Sequence, residues 1–573
     1  MPARPGDDFP RMNFRLLLTS LLTSLLTCAL PLSSEAAPPK LVLAIIVDQL
    51  RYDYLERFHG QFTQGGFRLL TDKGAFLTFA HYNHAPTTTG PGHATALSGT
   101  PPAVHGIISN DWFDKRTLKM VNCVSDPGVT GVGIAESYGQ RSPRNFIGTN
   151  FADELRLRYH SKVVGISLKD RGAILPAGKR PAGAYWFDSH SGNFATSTYY
   201  LPELPAWVRE FNERKRPQSF IGQTWKRLLD PKLYEWPDDA AGEGVMPGET
   251  MATFDHTVFP SPLEGFETIV PTPFGDQLLA EFALAAIDGE KLGAGPQPDL
   301  LCISFSSLDA VGHRFGPYSQ EVQDMTLRLD RELAGLFSAL DKKLGLANVM
   351  IALTADHGVA PTPEFAAEQG LGGGRIDPLA LTADLLAKLS ARFGPGKFLL
   401  VPRIVDGNLY FDHDALREKQ LPPEVVAGFI REWALSTGIF QAGYTRAQLL
   451  DGLAPGLLGQ RVLNGYNPER SGDIVLVYKP FTLPIPGKAG TTHGTPFNYD
   501  THVPVLFHGA GFKPGRYADE FSVNDLVPTL CAALRMNEPS GSTGKPLVKL
   551  LADETAVVKP NPTQKPTAKP SRK

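Results

Sequence analysis

Four short runs of apolar, β-branched residues, LVLAIIV (41–47), KVVGISL (162–168), LLCISFSSL (300–308) and NVMIALTA (348–355), constrain this chain more than any other feature. Runs without polar alternation are buried on both faces, and helix-like stretches separate the four. That combination specifies a mainly parallel sheet sandwiched between helices, an α/β fold. With 573 residues, 42% hydrophobic and 20% charged, the chain has enough apolar mass for one large catalytic domain carrying insertions. Two segments break the pattern. Residues from about 175 to 273 are rich in Trp, Tyr, Pro and Asp and read as an irregular insertion. Residues from about 361 to 487 carry their own helix pattern, DPLALTADLLAKLSARF, and strand-like pieces, and read as a small α/β cap. The core pattern then resumes with THVPVLFHGAG and NDLVPTLCAALRM.

Both ends read differently. Arg11 and Arg15 precede LLLTSLLTSLLTCALPL and the small residues that follow, which is the pattern of an export signal over residues 1–36, cleaved after Ala36. The run is short for a membrane span and is broken by Thr, Ser and Pro, so no stable membrane anchor is expected. The catalytic domain then covers 37–558, and the Pro/Lys-rich stretch 559–573 is a disordered basic tail. A formal net charge of -3, with the basic residues of the tail too few for a binding patch, gives no reason to expect a nucleic-acid partner. Of the mature cysteines, Cys302 sits in a strand pattern and Cys531 in a helix pattern, both as core thiols. Together with Cys123 they allow at most one disulfide.

Three of the strand patterns stop at an aspartate: Asp48, Asp309, and Asp356 followed at once by His357. In an open α/β sheet the ligand crevice lies beyond the carboxyl ends of the strands, so these carboxylates converge on one edge. Any one of them could equally be a helix cap. Asp309-Ala-Val-Gly-His313, however, sets two metal-ligand types one helical turn apart, and His493 lies in a Gly/Thr loop ahead of another strand pattern. The six groups divide into two sets, Asp309, His313 and His493, and Asp48, Asp356 and His357. This suits two divalent ions about 3.5 to 4 Å apart astride an in-line displacement. The stretch HAPTTTGPGHATALSGT (84–100) supplies a hydroxyl, Thr89, at a tight Gly-Pro-Gly turn feeding a helix, a place that also suits a plain N-cap.

The order Asp48, Thr89, Asp309-x3-His313, Asp356-His357, His493 resembles the alkaline phosphatase superfamily. More narrowly, it is similar to the PafA/PhoK-type secreted bacterial alkaline phosphatases with a threonine nucleophile. The resemblance runs from about Pro39 to Leu550 through IVDQLRYDYL, APTTTGPGHATALSGT, SLKDRGA, LDAVGH, ADHGV, HGTPFNYDTHVPVLF and DLVPTL. It implies an alkaline-phosphatase-like sheet with cap insertions, two divalent metal ions with Zn²⁺ favoured, and Thr89 as a nucleophile bound to one of them. It assigns Asn110, Lys169 and Arg171 to the phosphoryl oxygens. A lysine and a forked guanidinium match the extra negative charge of a monoester over a diester, so small phosphate monoesters are the expected substrates. Two alternatives are a phosphodiesterase or nucleotide pyrophosphatase of the same superfamily, and an exported metal-binding protein without catalysis. TGPGH lacks the Cys or Ser that a sulfatase needs. The expected location is periplasmic or extracellular. His81, His84, His93, His105, His502 and His508 have no ligand role and are read as structural.

Overall fold

The structure is a computed structural model that describes residues 38–261 and 265–552. The expected export signal and basic tail lie outside the described residues. Eleven strands form one sheet: β1 (Leu41–Val47), β2 (Ala75–His81), β3 (Gly131–Val132), β4 (Val163–Ser167), β5 (Gly183–Asp188), β6 (Asn193–Ser197), β7 (Asp299–Phe305), β8 (Val349–Thr354), β9 (His502–His508), β10 (Gly515–Tyr517) and β11 (Phe521–Ser522). Their order across the sheet is β10-β2-β9-β8-β1-β7-β4-β5-β6-β3, with β11 on β2. The centre, from β8 to β5, is parallel, as the apolar runs require. Antiparallel β9 joins β8 on one side, and antiparallel β6 joins β5 on the other.

Every residue of β1 and β7 is buried, because helices cover both faces of the sheet. Helices α2 (Asp170–Ala177) and α3 (Pro273–Gly289) pack on the central strands, α1 (Thr89–Ala96) packs on α2, and α4 (Ser307–Phe315) and α5 (Gln320–Leu344) pack on α3. Each fully buried Leu, Ile or Val is worth roughly 1.5–3 kcal/mol, so register is strongly specified. Val47 pairs with Phe305, Ile46 with Thr354, and Ser304 with Ser167. The strand ends that carry the chemistry are therefore level with one another.

The structure corrects three local expectations. The strand before Asp309 ends at Phe305, and the chain enters α4 at Ser307, so Asp309 stands in the first turn of a helix. TGPGH is not a turn before a helix but the first turn of α1 itself. Within the stretch expected to be irregular, β5 and β6 form a hairpin that extends the main sheet. The stretch 361–487 has its own apolar core, in which Leu385, Ile430, Trp433 and Ile474 pack. Its helix Pro378–Phe393 is capped by the Asp377 carboxylate, which accepts from the Leu379 and Ala380 N–H groups. Cys123, Cys302 and Cys531 are all buried free thiols.

Candidate active site

Asp48 follows β1 directly, and its N–H continues the ladder to the Phe305 carbonyl (2.9 Å). Asp356 and His357 follow β8, Lys169 lies between β4 and α2, and Asp309 and His313 share one face of α4. His493 comes from the loop ahead of β9. Of the sequence-predicted residues, the six chelating side chains gather in two trios, Asp309/His313/His493 and Asp48/Asp356/His357. In each trio one donor atom per residue lies within 4.8 Å of the others. In the second trio all three side chains are fully buried. Its His357 Nε2 is 3.4 Å from Asp48 Oδ1 and 3.3 Å from Asp356 Oδ2. In the first, Asp309 Oδ1 is 3.3 Å from His313 Nε2 and 3.8 Å from His493 Nε2.

The hydrogen bonds around the histidines define which nitrogen is free. His313 Nδ1 donates to the Thr491 carbonyl (2.9 Å), His493 Nδ1 to the Thr87 carbonyl (2.8 Å) and His357 Nδ1 to the Gly358 carbonyl (2.9 Å). A carbonyl can only accept, so each imidazole carries a proton on Nδ1 and turns Nε2 inward. Without a metal, burial opposes a second proton on His313 but Asp309 outweighs it, raising the pKa and favouring a proton on that Nε2 as well. In the neutral rings the Nε2 lone pair faces carboxylate oxygens, which also only accept. Asp48 Oδ1 and Asp356 Oδ2 are buried without a hydrogen-bond partner. Acceptors facing acceptors in a dry place repel unless a cation lies among them, and neutral imidazole with carboxylate is a donor set that divalent transition metals accept. The residues therefore fit a metal ion in each trio.

The charges say the same. Burial, with Asp309 and Asp356 alongside, pushes the Asp48 carboxyl well above its usual range. Asp309 goes the other way, because burial is outweighed by Lys169 and His313. Lys169 Nζ lies 2.6 Å from Asp48 Oδ2 and 2.5 Å from Asp309 Oδ2, bridging the two trios. Burial, reinforced by His357 and His313, depresses His493 well below the usual imidazole value, which keeps it neutral. Lysine was expected at the phosphoryl oxygens. Here the concentrated negative charge draws its ammonium onto the carboxylates.

Thr89 is the first residue of α1, with Thr88 at the N-cap position and no side-chain capping bond. The hydroxyl is thus free of the capping duty that its sequence context allowed, and Oγ1 lies 3.5 Å from His357 Nε2. Every residue of α1 is buried, and Gly92 is there for contact: a Cβ on it would come 2.2 Å from the Asp356 carbonyl oxygen. Asn110 Oδ1 accepts from the Gly90 N–H (2.6 Å), one of the amides left open at the helix start. This fixes the Asn110 amide and leaves its NH₂ end to bind elsewhere. Arg171 sits in the first turn of α2 with its Nε buried and unpartnered. Its neighbour Asp170 is held mainly by Arg141 (2.6 Å).

Gln49, which sequence reasoning passed over, and His93, which it read as structural, both stand at the site. Gln49 donates from Nε2 to Asp309 Oδ1 (2.6 Å) and from its backbone N–H to Asp356 Oδ1 (3.1 Å), tying one trio to the other. It does so in the left-handed region at φ 67°, uncommon for a residue with a side chain. The only signal was its place directly after Asp48. His93 lies between the Thr89 carbonyl (2.9 Å) and Ser304 Oγ (2.7 Å), with its Nδ1 3.1 Å from Asp356 Oδ2. It is structural, but at the site.

The chain matches the type I phosphodiesterase / nucleotide pyrophosphatase family over residues 42–496. Alkaline phosphatase PafA of Elizabethkingia meningoseptica is 37% identical over 542 residues, 94% of this chain and 98% of that protein. Alkaline phosphatase PhoV of Synechococcus elongatus is 36% identical, over 90% of this chain and 93% of that one. A Myroides odoratus protein named calcium-transporting ATPase is 36% identical over 94% of this chain and 99% of its own length. Among the described residues no helix is long and apolar enough to cross a membrane. The crystal structure of PafA superposes with a TM-score of 0.86, at 37% identity, over 91% of this chain and all of that one. The same score is reached by a PafA variant in which one threonine, one asparagine, one lysine and one arginine are replaced.

Proposed function

This chain belongs to the type I phosphodiesterase / nucleotide pyrophosphatase family, within the alkaline phosphatase superfamily, and from that premise we propose that it is an exported, metal-dependent phosphate monoester hydrolase acting through a phosphothreonine at residue 89. The observation that carries the reading is the Thr89 hydroxyl. It is uncapped, at the start of a wholly buried helix, and 3.5 Å from a nitrogen of the Asp48/Asp356/His357 trio. The PafA variant adds support. Its replaced threonine and asparagine are 21 residues apart and its lysine and arginine two apart, the spacings of Thr89 to Asn110 and Lys169 to Arg171.

Asp48, Asp356 and His357 would hold one ion and Asp309, His313 and His493 the other, with donor chemistry that suits Zn²⁺. When bound, such ions lower the pKa of an attacking hydroxyl and offset charge on a departing alkoxide. The chain's own groups do the rest. Thr89 Oγ1 attacks phosphorus, a P–O bond forms on threonine, and the bond to the alcohol breaks. A water then displaces Thr89 and restores the enzyme. Two in-line displacements leave the configuration at phosphorus unchanged. The α1 N-terminus adds a positive partial charge beside the attacking oxygen. The Asn110 NH₂ and the Arg171 guanidinium bind the equatorial oxygens, where charge builds. Lys169 joins them once its carboxylate partners are otherwise compensated. With two divalent ions held by the trios the charges would close: three carboxylates, a phosphate dianion and a threonine alkoxide against the ions, an ammonium and a guanidinium. A diester, one charge short and carrying a second organic arm, leaves that balance open, so monoesters are favoured.

The test compares kcat/KM for a monoester and its methyl diester in the wild type, Lys169→Ala and Arg171→Ala. The reading expects monoester rates to fall about 10²–10³-fold and diester rates much less. Equal losses on both substrates contradict it.

A further inference from the structure

Beside the Asp309 trio lies an open cleft of about 90 Å³, which the chemistry above does not use. Two of its lining residues border the reaction centre. His493 belongs to the Asp309 trio and stacks on His357 with ring centroids 3.5 Å apart, and Thr88 immediately precedes Thr89. The cap supplies the opposite wall through Val475 and Val477 of the strand Ile474–Tyr478 and through Leu483. Thr88 is 8% exposed, and its Oγ1, buried at this wall, has no hydrogen-bond partner. A buried hydroxyl left without a partner at the edge of a cleft is a group available to whatever enters it.

Charge narrows the occupant. Among the described residues no lysine or arginine lines the cleft, and the one carboxylate that does, Asp406, accepts a hydrogen bond from Ser109 Oγ next to Asn110. An alcohol bearing a second phosphate or a carboxylate would meet like charge there without a counter-ion, whereas a neutral apolar group meets valines and leucine.

We propose that this cleft is the leaving-group subsite, and that it selects phosphate monoesters of neutral, apolar alcohols over those of small or anionic ones. This rests on the monoesterase reading and adds a substrate class to it. The cleft borders the Asp309 trio, whereas Thr89 Oγ1 lies against His357 of the other one; in-line attack from that oxygen sends the departing alcohol toward the Asp309 side, so the cleft's occupant is the organic group and not the phosphoryl group. The cap strand, an insertion in the chain relative to the sheet, thereby becomes the specificity element.

The experiment uses ethyl phosphate and 2-cyclohexylethyl phosphate, whose alcohols are of similar acidity, so the chemical step is matched and only the cleft distinguishes them. The wild type should show a kcat/KM at least about tenfold higher for the cyclohexylethyl ester, the minimum expected when even one methylene enters an apolar pocket. Val475→Thr, isosteric but polar, should lower that ratio, and Val475→Asp should bring it near one. If the aspartate variant fails to fold, the threonine variant decides. A wild-type ratio within about twofold of one, or a ratio unchanged in the folded variants, overturns the subsite while leaving the monoesterase reading intact. Failure of the wild type to hydrolyse either ester overturns both.

Discussion

Gln49 offers the sharpest quantitative test of how this site is held. Its Nε2 donates to Asp309 Oδ1 at 2.6 Å inside a buried pocket, and a hydrogen bond to a charged group in that setting is worth about 1.5–3 kcal/mol. At 1.4 kcal/mol per decade, losing it predicts about a 10–100-fold weaker metal affinity at the trio Asp309 belongs to, the range found when such supporting partners are removed. The tie to Asp356 uses the Gln49 backbone N–H and survives any substitution except proline. The second trio should therefore lose much less. Backbone conformation separates the hydrogen bond from strain. At φ 67° a residue with a Cβ is disfavoured by about 1 kcal/mol, and glycine is not. Gln49→Ala and Gln49→Gly should thus lose metal equally, while the glycine variant is more stable than the alanine variant by about 1 kcal/mol. Titration with buffered free Zn²⁺, read as bound metal per chain, and urea unfolding of the metal-free proteins measure the two effects. Unchanged affinity in both variants would refute the account of Gln49, as would equal loss at the two trios.

Other expectations lie further from the chemistry. His256 is fully buried between Glu249 (2.8 Å) and Glu321 (3.2 Å), and although burial opposes its protonation these two glutamates raise its pKa. A raised pKa means stability fully present below the unfolded imidazole value, near 6.5, and lost as pH climbs through the folded one. His256→Gln should therefore destabilise the fold by on the order of 3 kcal/mol at pH 6 and by clearly less at pH 9, measured by urea unfolding. An effect independent of pH would contradict the ion-pair assignment. Gly92→Ala puts a Cβ 2.2 Å from a backbone oxygen of Asp356, which cannot swing aside. It should cost at least about 1–3 kcal/mol and displace Asp356, visible as lost stability together with lost metal, and full retention of both would show that α1 can shift.

The trios were legible because Asp48 and Asp356 follow the ends of strands whose apolar character leaves little choice of fold, and because paired motifs such as Asp309-x3-His313 and Asp356-His357 survive as local spacing. What could not be read depends on conformations and contacts without local spelling. Gly-Pro-Gly after Thr89 has the composition of a turn. It is helical because Gly92 must touch the chain at Asp356, a contact 264 residues away in sequence. Gln49 looks like any buried amide until its φ and its two carboxylate partners are known. The β5–β6 hairpin was hidden by the Trp, Tyr and Pro around it, although β5 is buried throughout. Lys169 was assigned by resemblance to the phosphoryl group, and its position between Asp48 and Asp309 follows from charge, which no motif encodes.

The central claim is that one hydroxyl, Thr89 Oγ1, becomes covalently phosphorylated beside the Asp48/Asp356/His357 trio. Acid quenching of the enzyme during turnover of a monoester, followed by peptide mass spectrometry, tests it most directly. A phosphate on the peptide containing Thr89, formed within the first turnover and absent from Thr89→Ala, is the predicted result. A phosphate on a different residue, or a Thr89→Ala enzyme that still turns over at the full rate, would contradict it.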